Sequence, residues 1–172
     1  MDDLSHALAH DLDDAFPVLV ERLGSRLYWG LRRLSGSHQE AEDLTQETLI
    51  RAYRALGGYD RERVTELRLE PWVWTIALNL GRNHLRDRAR RPTPVELGDD
   101  TVSHDPDPIE AHVWDQRLAR LSGPQRTAVV LRHVVGLPID EIGEVTGRPA
   151  GTVKADIHRG LNRLKSILEE ET

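Results

Sequence analysis

Cysteine is absent from this 172-residue chain, which removes disulfide frameworks, Cys-ligated zinc, iron–sulfur clusters and thiol chemistry from consideration. Aromatic residues make up only 5% and phenylalanine occurs once, so a core here has to be built from aliphatic side chains. No run of 18 apolar residues occurs, the length that a membrane-spanning helix needs. The N-terminus carries Asp2, Asp3, Asp11, Asp13 and Asp14, where a secretory leader is basic and then apolar. A cytoplasmic protein without membrane insertion is expected. Catalytic signatures are missing too: there is no GxxxxGK[ST], GxSxG, HExxH or glycine-rich dinucleotide fingerprint. His6 and His10 stand four residues apart with no third ligand evident nearby, so they read as a solvated helix face. The expectation is a non-enzymatic protein with no metal and no cofactor.

What the chain does contain is charge, 30% of its residues against 38% hydrophobic. The net charge of −6 argues against a nucleic-acid partner only until its distribution is followed along the chain. From Arg82 to Arg91 five arginines face one acid, Asp87, whereas Pro92 to Asp115 holds seven acids and no Lys or Arg. The stretch PTPVELGDDTVSHDPDP has four prolines in 17 residues and no helical or strand period, the composition of an extended linker. The chain therefore divides into 1–91, a flexible acidic linker 92–108, and 109–172.

Both halves read as helical, and no segment has a strand period. Phe16, Leu19, Val20, Leu23, Leu27, Leu31 and Leu34 recur at steps of three and four, the mark of an amphipathic helix, which Gly36 ends. A second helix is expected from about Gln39 to Leu56, with Leu44, Leu49, Ile50, Tyr53 and Leu56 inward and Gly57-Gly58 as its stop. After a loop Tyr59–Glu70, Pro71 suits the first turn of a third helix carrying Val73, Ile76, Ala77 and Leu80 inward. A three-helix bundle results. In the C-terminal half a helix over Ile109–Leu121 precedes Ser122-Gly-Pro-Gln125, the spacing of a capping box. Helices to about Val135, from Pro138, and from about Gly151 follow, the last two joined by Thr146-Gly147-Arg148-Pro149. Two short helices around a Gly-containing turn, the second longer, form a helix-turn-helix pattern.

Three polar faces carry the chemistry. Lys154, Ala155, His158, Arg159, Asn162 and Arg163 lie opposite Val153, Ile157 and Leu161 on the last helix and suit a major groove, with Gly151-Thr152 offering helix N-terminal N–H groups to a phosphate. On the third helix Asn79, Arg82, Asn83, Arg86 and Arg90 lie opposite the apolar stripe, a face fitted to a nucleic-acid backbone and exposed bases. Tyr59, Trp72 and Trp74 put aromatic surface near it, although positions two apart on a helix cannot both face one ligand, so at least one tryptophan belongs to the core. On the second helix Asp43, Gln46 and Glu47 have no His partner in sequence and read as a charged docking surface.

Three stretches, AEDLTQETLIRAYRAL (Ala41–Leu56), PWVWTIALNLGRNHLRDRARR (Pro71–Arg91) and LSGPQRTAVVLRHVVGLPIDEIGEVTGRPAGTVKADIHRGLNRLK (Leu121–Lys165), together resemble the extracytoplasmic-function sigma factors of bacterial RNA polymerase, within the sigma-70 class. The resemblance implies an all-α protein of two helical domains, sigma-2 and sigma-4, joined by a linker that threads the polymerase channel. It implies that Asp43, Gln46 and Glu47 dock on the clamp helices of the polymerase β′ subunit, with the β flap as a further polymerase contact. Asn79, with Arg82, Asn83 and Arg86 beside it, falls near the pocket for a flipped −10 base, and Tyr59 falls at the start of the base-capturing loop. Thr152, Lys154, Ala155, His158 and Arg159 fall on the part of the recognition helix that faces the −35 element. Core RNA polymerase, promoter DNA and a separate anti-sigma protein are the partners implied.

The chain departs from the family pattern in two places. The loop Tyr59–Glu70 is several residues longer than is common, and Ala155-Asp156 stands where relatives more often carry Ser-Arg, so an acid is expected in place of a basic phosphate contact. The competing readings are a dimeric helix-turn-helix regulator of duplex DNA, which leaves the first 91 residues unassigned, and a helical adaptor that binds only proteins.

Overall fold

The computed structural model describes residues 3–90 and 108–172, with the side chains of 3–84 and 109–172. Every regular element among them is helical. Helices α1 (Asp3–His10), α2 (Leu12–Ser35), α3 (His38–Gly58), α4 (Arg61–Glu66) and α5 (Leu69–Arg90) precede the acidic segment; α6 (Pro108–Ala119), α7 (Gly123–Val130), α8 (Ile139–Thr146) and α9 (Ala150–Glu170) follow it. A π-helical turn, Leu131–Val135, continues α7. Of the expected linker 92–108, only Pro108 is among the described residues, as the first residue of α6.

Short polar side chains set the helix starts. Asp11 caps α2 by accepting from the Asp14 N–H at 3.1 Å, and Ser37 and Asp60 do the same for α3 and α4 at 3.3 and 2.8 Å. Ser122 and Gln125 form the full reciprocal box, with both bonds at 3.4 Å. Between α8 and α9 the backbone at Gly147 is left-handed, φ 67°, a conformation in which a Cβ would crowd the chain.

Two expectations about the N-terminal half are corrected. The stretch Tyr59–Glu70 is no plain loop: it contains α4 and the first turn of α5, and α3 runs through Gly57-Gly58 before stopping at Tyr59 in extended conformation. Neither glycine turns left-handed, so nothing there ends the helix until Asp60 begins to cap the next one. The inward face of α3 is also rotated from the expected one. Ala41, Thr48, Ala52 and Leu56 are buried, whereas Ile50 and Tyr53 are 44% and 40% exposed. Small residues let α3 lie close to α2 and α5, and Thr48 bonds its own helix at the Leu44 carbonyl (2.6 Å).

The two halves pack against each other along a seam, and one contiguous core runs from Leu4 through Leu27, Val73 and Trp74 to Leu131, Ile142 and Ile157. A smaller cluster of Leu118, Leu121, Val130, Leu164 and Ile167 closes the far end. At the seam Gly30 of α2 lies under the Trp74 ring, and a Cβ there would stand 2.8 Å from Val135 Cγ2; a side chain would force the halves apart. Ion pairs flank the apolar contact. Arg32 and Arg33 of α2 reach Asp115 of α6 at 2.7 and 3.1 Å, with Arg32 and Asp115 both almost fully buried. Arg68, just before α5, pairs with Glu141 (2.8 Å) and Glu144 of α8. α5 thus buries two faces, Val73, Ala77 and Leu80 along one and Trp74 and Leu78 along the other, and its polar stripe is what remains.

Candidate polymerase and nucleic-acid interfaces

The acidic face of α3 is built by helical spacing. Asp43 and Gln46 are exposed and Glu47 is half-exposed, held out by the buried Ala41, Thr48 and Ala52 on the opposite side. Asp43 accepts from the Gln39 amide (3.1 Å), and Glu47 pairs with Arg51 one turn on (2.8 Å); exposed pairs of this kind contribute little to stability, which leaves their charge available to a partner. The structure places this face beside α5. Asp43, Glu47 and Arg51 line one open groove with Leu80, Asn83 and His84, so residues expected to dock a protein and one expected to touch DNA share a wall.

On α5, Asn79, Arg82 and Asn83 are all exposed along one side, as the three- and four-residue spacing requires. Arg86 is in the same helix, and its side chain lies outside the described residues. Arg82 faces the seam: it lines a cavity of about 320 Å³ with Gly123, Thr127, Arg148, Val153 and Asp156 from the C-terminal half. Trp74 is buried, and Trp72 is half-buried with its ring 6.1 Å from that of Tyr59 at 61°, so neither tryptophan stands open for stacking.

Tyr59 itself is half-buried. The Arg63 guanidinium lies 3.6 Å from its ring centroid, a cation–π contact that covers one face of the ring. The tyrosine thus has one face under Arg63 and Trp72 at an edge-type angle beside it. The exposed cations beside it, Arg61 and Arg63, lie on α4, a helix the loop expectation did not include; its signal in the sequence is Asp60 followed by RERVTE, a cap and a helical turn. Close by, the Asp13 carboxylate accepts from the Tyr53 hydroxyl and, with its charge, holds that phenol above its ordinary range.

In α9, Lys154, His158, Arg159 and Asn162 are exposed, while Thr152 and Ala155 are half-buried. Val153, Ile157, Gly160 and Leu164 form the buried stripe that seats the helix on α7 and α8; Gly160 is required there, since a Cβ would stand 2.7 Å from Val129 Cγ2. His158 and Asn162 bond to each other at 3.0 Å. Asp156 does not face outward as the sequence suggested. It is 4% exposed and belongs to the buried stripe, where it accepts from Arg159 at 2.9 Å and from Arg148 in the turn. The position is therefore not a lost phosphate contact, and Arg148 is a second residue of this surface that the sequence reading overlooked.

His6 and His10 stand exposed on α1, and among the described residues no three His, Cys, Asp or Glu side chains come together as a metal site. No described helix is long and apolar enough to cross a membrane.

A family model described as Sigma-70 region 2 matches residues 19–91, and one described as Sigma-70, region 4 matches residues 112–164. The RNA polymerase sigma factor CarQ of Myxococcus xanthus is 34% identical over 91% of each chain. The chain belongs to the extracytoplasmic-function sigma factors of the sigma-70 class. The ECF RNA polymerase sigma factor SigW of Bacillus subtilis is 30% identical over 91% of this chain and 90% of that one. The ECF RNA polymerase sigma factor SigE of Mycolicibacterium smegmatis is 34% identical over 90% of this chain, which spans only 62% of SigE. Among solved structures, the sigma factor RpoE from Bartonella quintana, crystallised with the anti-sigma factor NepR, is 26% identical with a TM-score of 0.73, over 90% of this chain and 96% of that one. CnrH, solved with the cytosolic domain of CnrY, shares the fold at a TM-score of 0.76 over 98% and 97% of the two chains, with 24% identity. In this sigma factor the region 2 match ends at Arg91, the last residue of the basic run before the acidic segment, and the region 4 match contains the helix-turn-helix.

Proposed function

We propose that this sigma factor acts as the promoter-specificity subunit of core RNA polymerase, docking through Asp43, Gln46 and Glu47, holding melted −10 bases with Tyr59, Asn79, Arg82, Asn83 and Arg86, and reading −35 duplex with Thr152, Lys154, Ala155, His158 and Arg159. The division of labour follows the chain: 1–91 for polymerase and −10 contacts, 92–108 as linker, 109–172 for −35 contacts. The observation that carries the reading is the pairing of two unlike surfaces in one groove wall, the acidic face of α3 and Asn83 of the α5 stripe, with a separate helix-turn-helix in the other half. A duplex-binding regulator uses the second and leaves the first unexplained.

The protein works by binding energy rather than catalysis, and its site is the cytoplasm, where polymerase and promoter DNA are. Extruding a base from the stack costs a few kcal/mol, which stacking and hydrogen bonds of ~1–3 kcal/mol each offset. An anti-sigma protein is the regulator that fits, by analogy with RpoE and NepR. Co-purification with core polymerase followed by run-off transcription tests the whole reading. Asp43→Arg with Glu47→Arg should abolish polymerase binding with helicity intact, since like-charge juxtaposition at an interface costs several kcal/mol. Unchanged affinity for core polymerase would remove the α3 face from the function.

A further inference from the structure

Asp156 is a charged side chain buried at the root of a helix whose exposed face is meant for DNA. Its two carboxylate oxygens are divided between two guanidinium groups: Oδ1 accepts from Arg159 Nη2 at 2.9 Å, and Oδ2 accepts from Arg148. The carboxylate is 6% exposed, whereas the two arginines are 57% and 36% exposed. A buried carboxylate surrendered to water on neither side has to be satisfied by such donors, and it holds them in return. Arg159 gives up one of its five N–H groups to the bond and keeps the others, and its long side chain loses the rotamer freedom that would otherwise be lost on meeting DNA. Arg148 comes from the turn before α9, so the same carboxylate ties the turn to the recognition helix.

We propose that Asp156 is a positioning residue for −35 recognition, aiming Arg159 at the duplex while Arg148 anchors the carboxylate from the turn, and that it gives up DNA affinity for sequence preference. This rests on the proposed −35 role of α9. The direction of both effects follows from charge. Two cations and one anion leave a net of one positive charge at this corner, less than two unpaired arginines would present to phosphates. A guanidinium group held in one orientation, by contrast, meets a base edge in the fixed fork geometry that discriminates between bases. Among the described residues Arg82 lines the same cavity as Asp156 and Arg148.

The test uses the full chain with core polymerase on a promoter library randomised across the −35 element, with salt-dependent duplex binding and thermal melting measured in parallel. Four proteins are compared with the parent: Arg159→Ala, Asp156→Asn, Asp156→Glu and the double variant Asp156→Asn with Arg159→Ala. Asp156→Asn is expected to lose preference about fivefold or more at the −35 positions that Arg159→Ala affects and at no others. Its duplex binding should become tighter at low salt, with a salt dependence steeper by up to about one phosphate contact. Asp156→Glu, which keeps the charge but moves it by one methylene, should show a smaller change at the same positions, and it carries the test if the Asn variant does not fold. The double variant should discriminate no worse than Arg159→Ala alone. A purely structural ion pair predicts something else: a lower melting temperature and weaker transcription from every −35 sequence alike, with preference untouched, and that result overturns the proposal. Losses that add in the double variant overturn it as well. If Arg159→Ala leaves preference unchanged, it is the −35 reading of α9 that has failed, and Asp156 has nothing to aim.

Discussion

The α5 stripe and the α9 face use the same residue types, Asn and Arg with a few neighbours, yet their surroundings differ. On α5 the polar residues are what is left after two other faces are buried, one in the N-terminal half and one against the C-terminal half. Their orientation is set by packing at a distance, through Trp74, Gly30 and the ion pairs along the seam. On α9 only one face is buried, and the orientation of Arg159 is set locally, by a carboxylate three residues earlier in the same helix. The first kind of surface depends on how two halves meet; the second travels with its own domain. On the proposed division of −10 and −35 contacts between the halves, a −35 reader gains from an aim set within its own helix, because that aim is kept wherever the half is carried.

The sharpest way to break this comparison is to cut the seam. Asp115→Ala removes the acceptor that the buried Arg32 shares with Arg33, and removing one partner of a buried pair costs up to about 3–5 kcal/mol. Urea unfolding should show a loss of that size, whereas a loss below about 1 kcal/mol, the worth of a surface pair, would mean that this triad does not hold the halves together.

Next in size is the separation of the two nucleic-acid functions. Asn79→Ala should spare polymerase binding and −35 duplex binding but lose open complex, by ~1–3 kcal/mol for the missing base contact, with partial rescue on a template already melted at −10. Permanganate reactivity of thymines near −10 reads this directly; normal melting by the variant would make Asn79 a solvated helix residue and nothing more. On the other surface Lys154→Ala should weaken all promoters alike and lower the slope of log affinity against log salt by about 1, the signature of one lost phosphate contact. A change confined to one −35 sequence would instead make Lys154 a base reader.

The smallest effect belongs to Glu70, at the start of α5. Burial raises its carboxyl above the ordinary range, and the Glu141 charge adds to this, while Arg26 at 2.9 Å opposes it. Because the folded-state value is raised, the stability linked to this group is present at pH below the usual carboxylate range and is lost as pH rises through the raised value. Glu70→Gln removes the titration, so the melting temperature of the variant relative to the parent should climb between pH 4 and pH 7. A relative fall over that range would show that the Arg26 pair outweighs burial.

How far these features could be read in advance differs from element to element. The Phe16–Leu34 periodicity, the Ser122–Gln125 box and the Gly147 turn all appear where the residues placed them, because each is a local interaction within a few positions. The rotated face of α3 could not be read so easily: Ala41, Thr48 and Ala52 carry little hydrophobic signal, and Ile50 and Tyr53 carry much, so periodicity favoured the wrong side. α4 was hidden for a related reason, since a six-residue helix with one buried residue, Val64, is too short to show a period.

By itself, then, the sequence determined that this is an all-helical sigma factor, which residues form its acidic and basic faces, and where its composition changes, because spacing, caps and local charge act over one or two helical turns. Only the tertiary structure decided that the halves share a core, that Tyr59 is packed under Arg63, and that Asp156 points inward between Arg148 and Arg159. Those outcomes depend on which helix lies against which, and a buried carboxylate and an exposed one are written with the same letter.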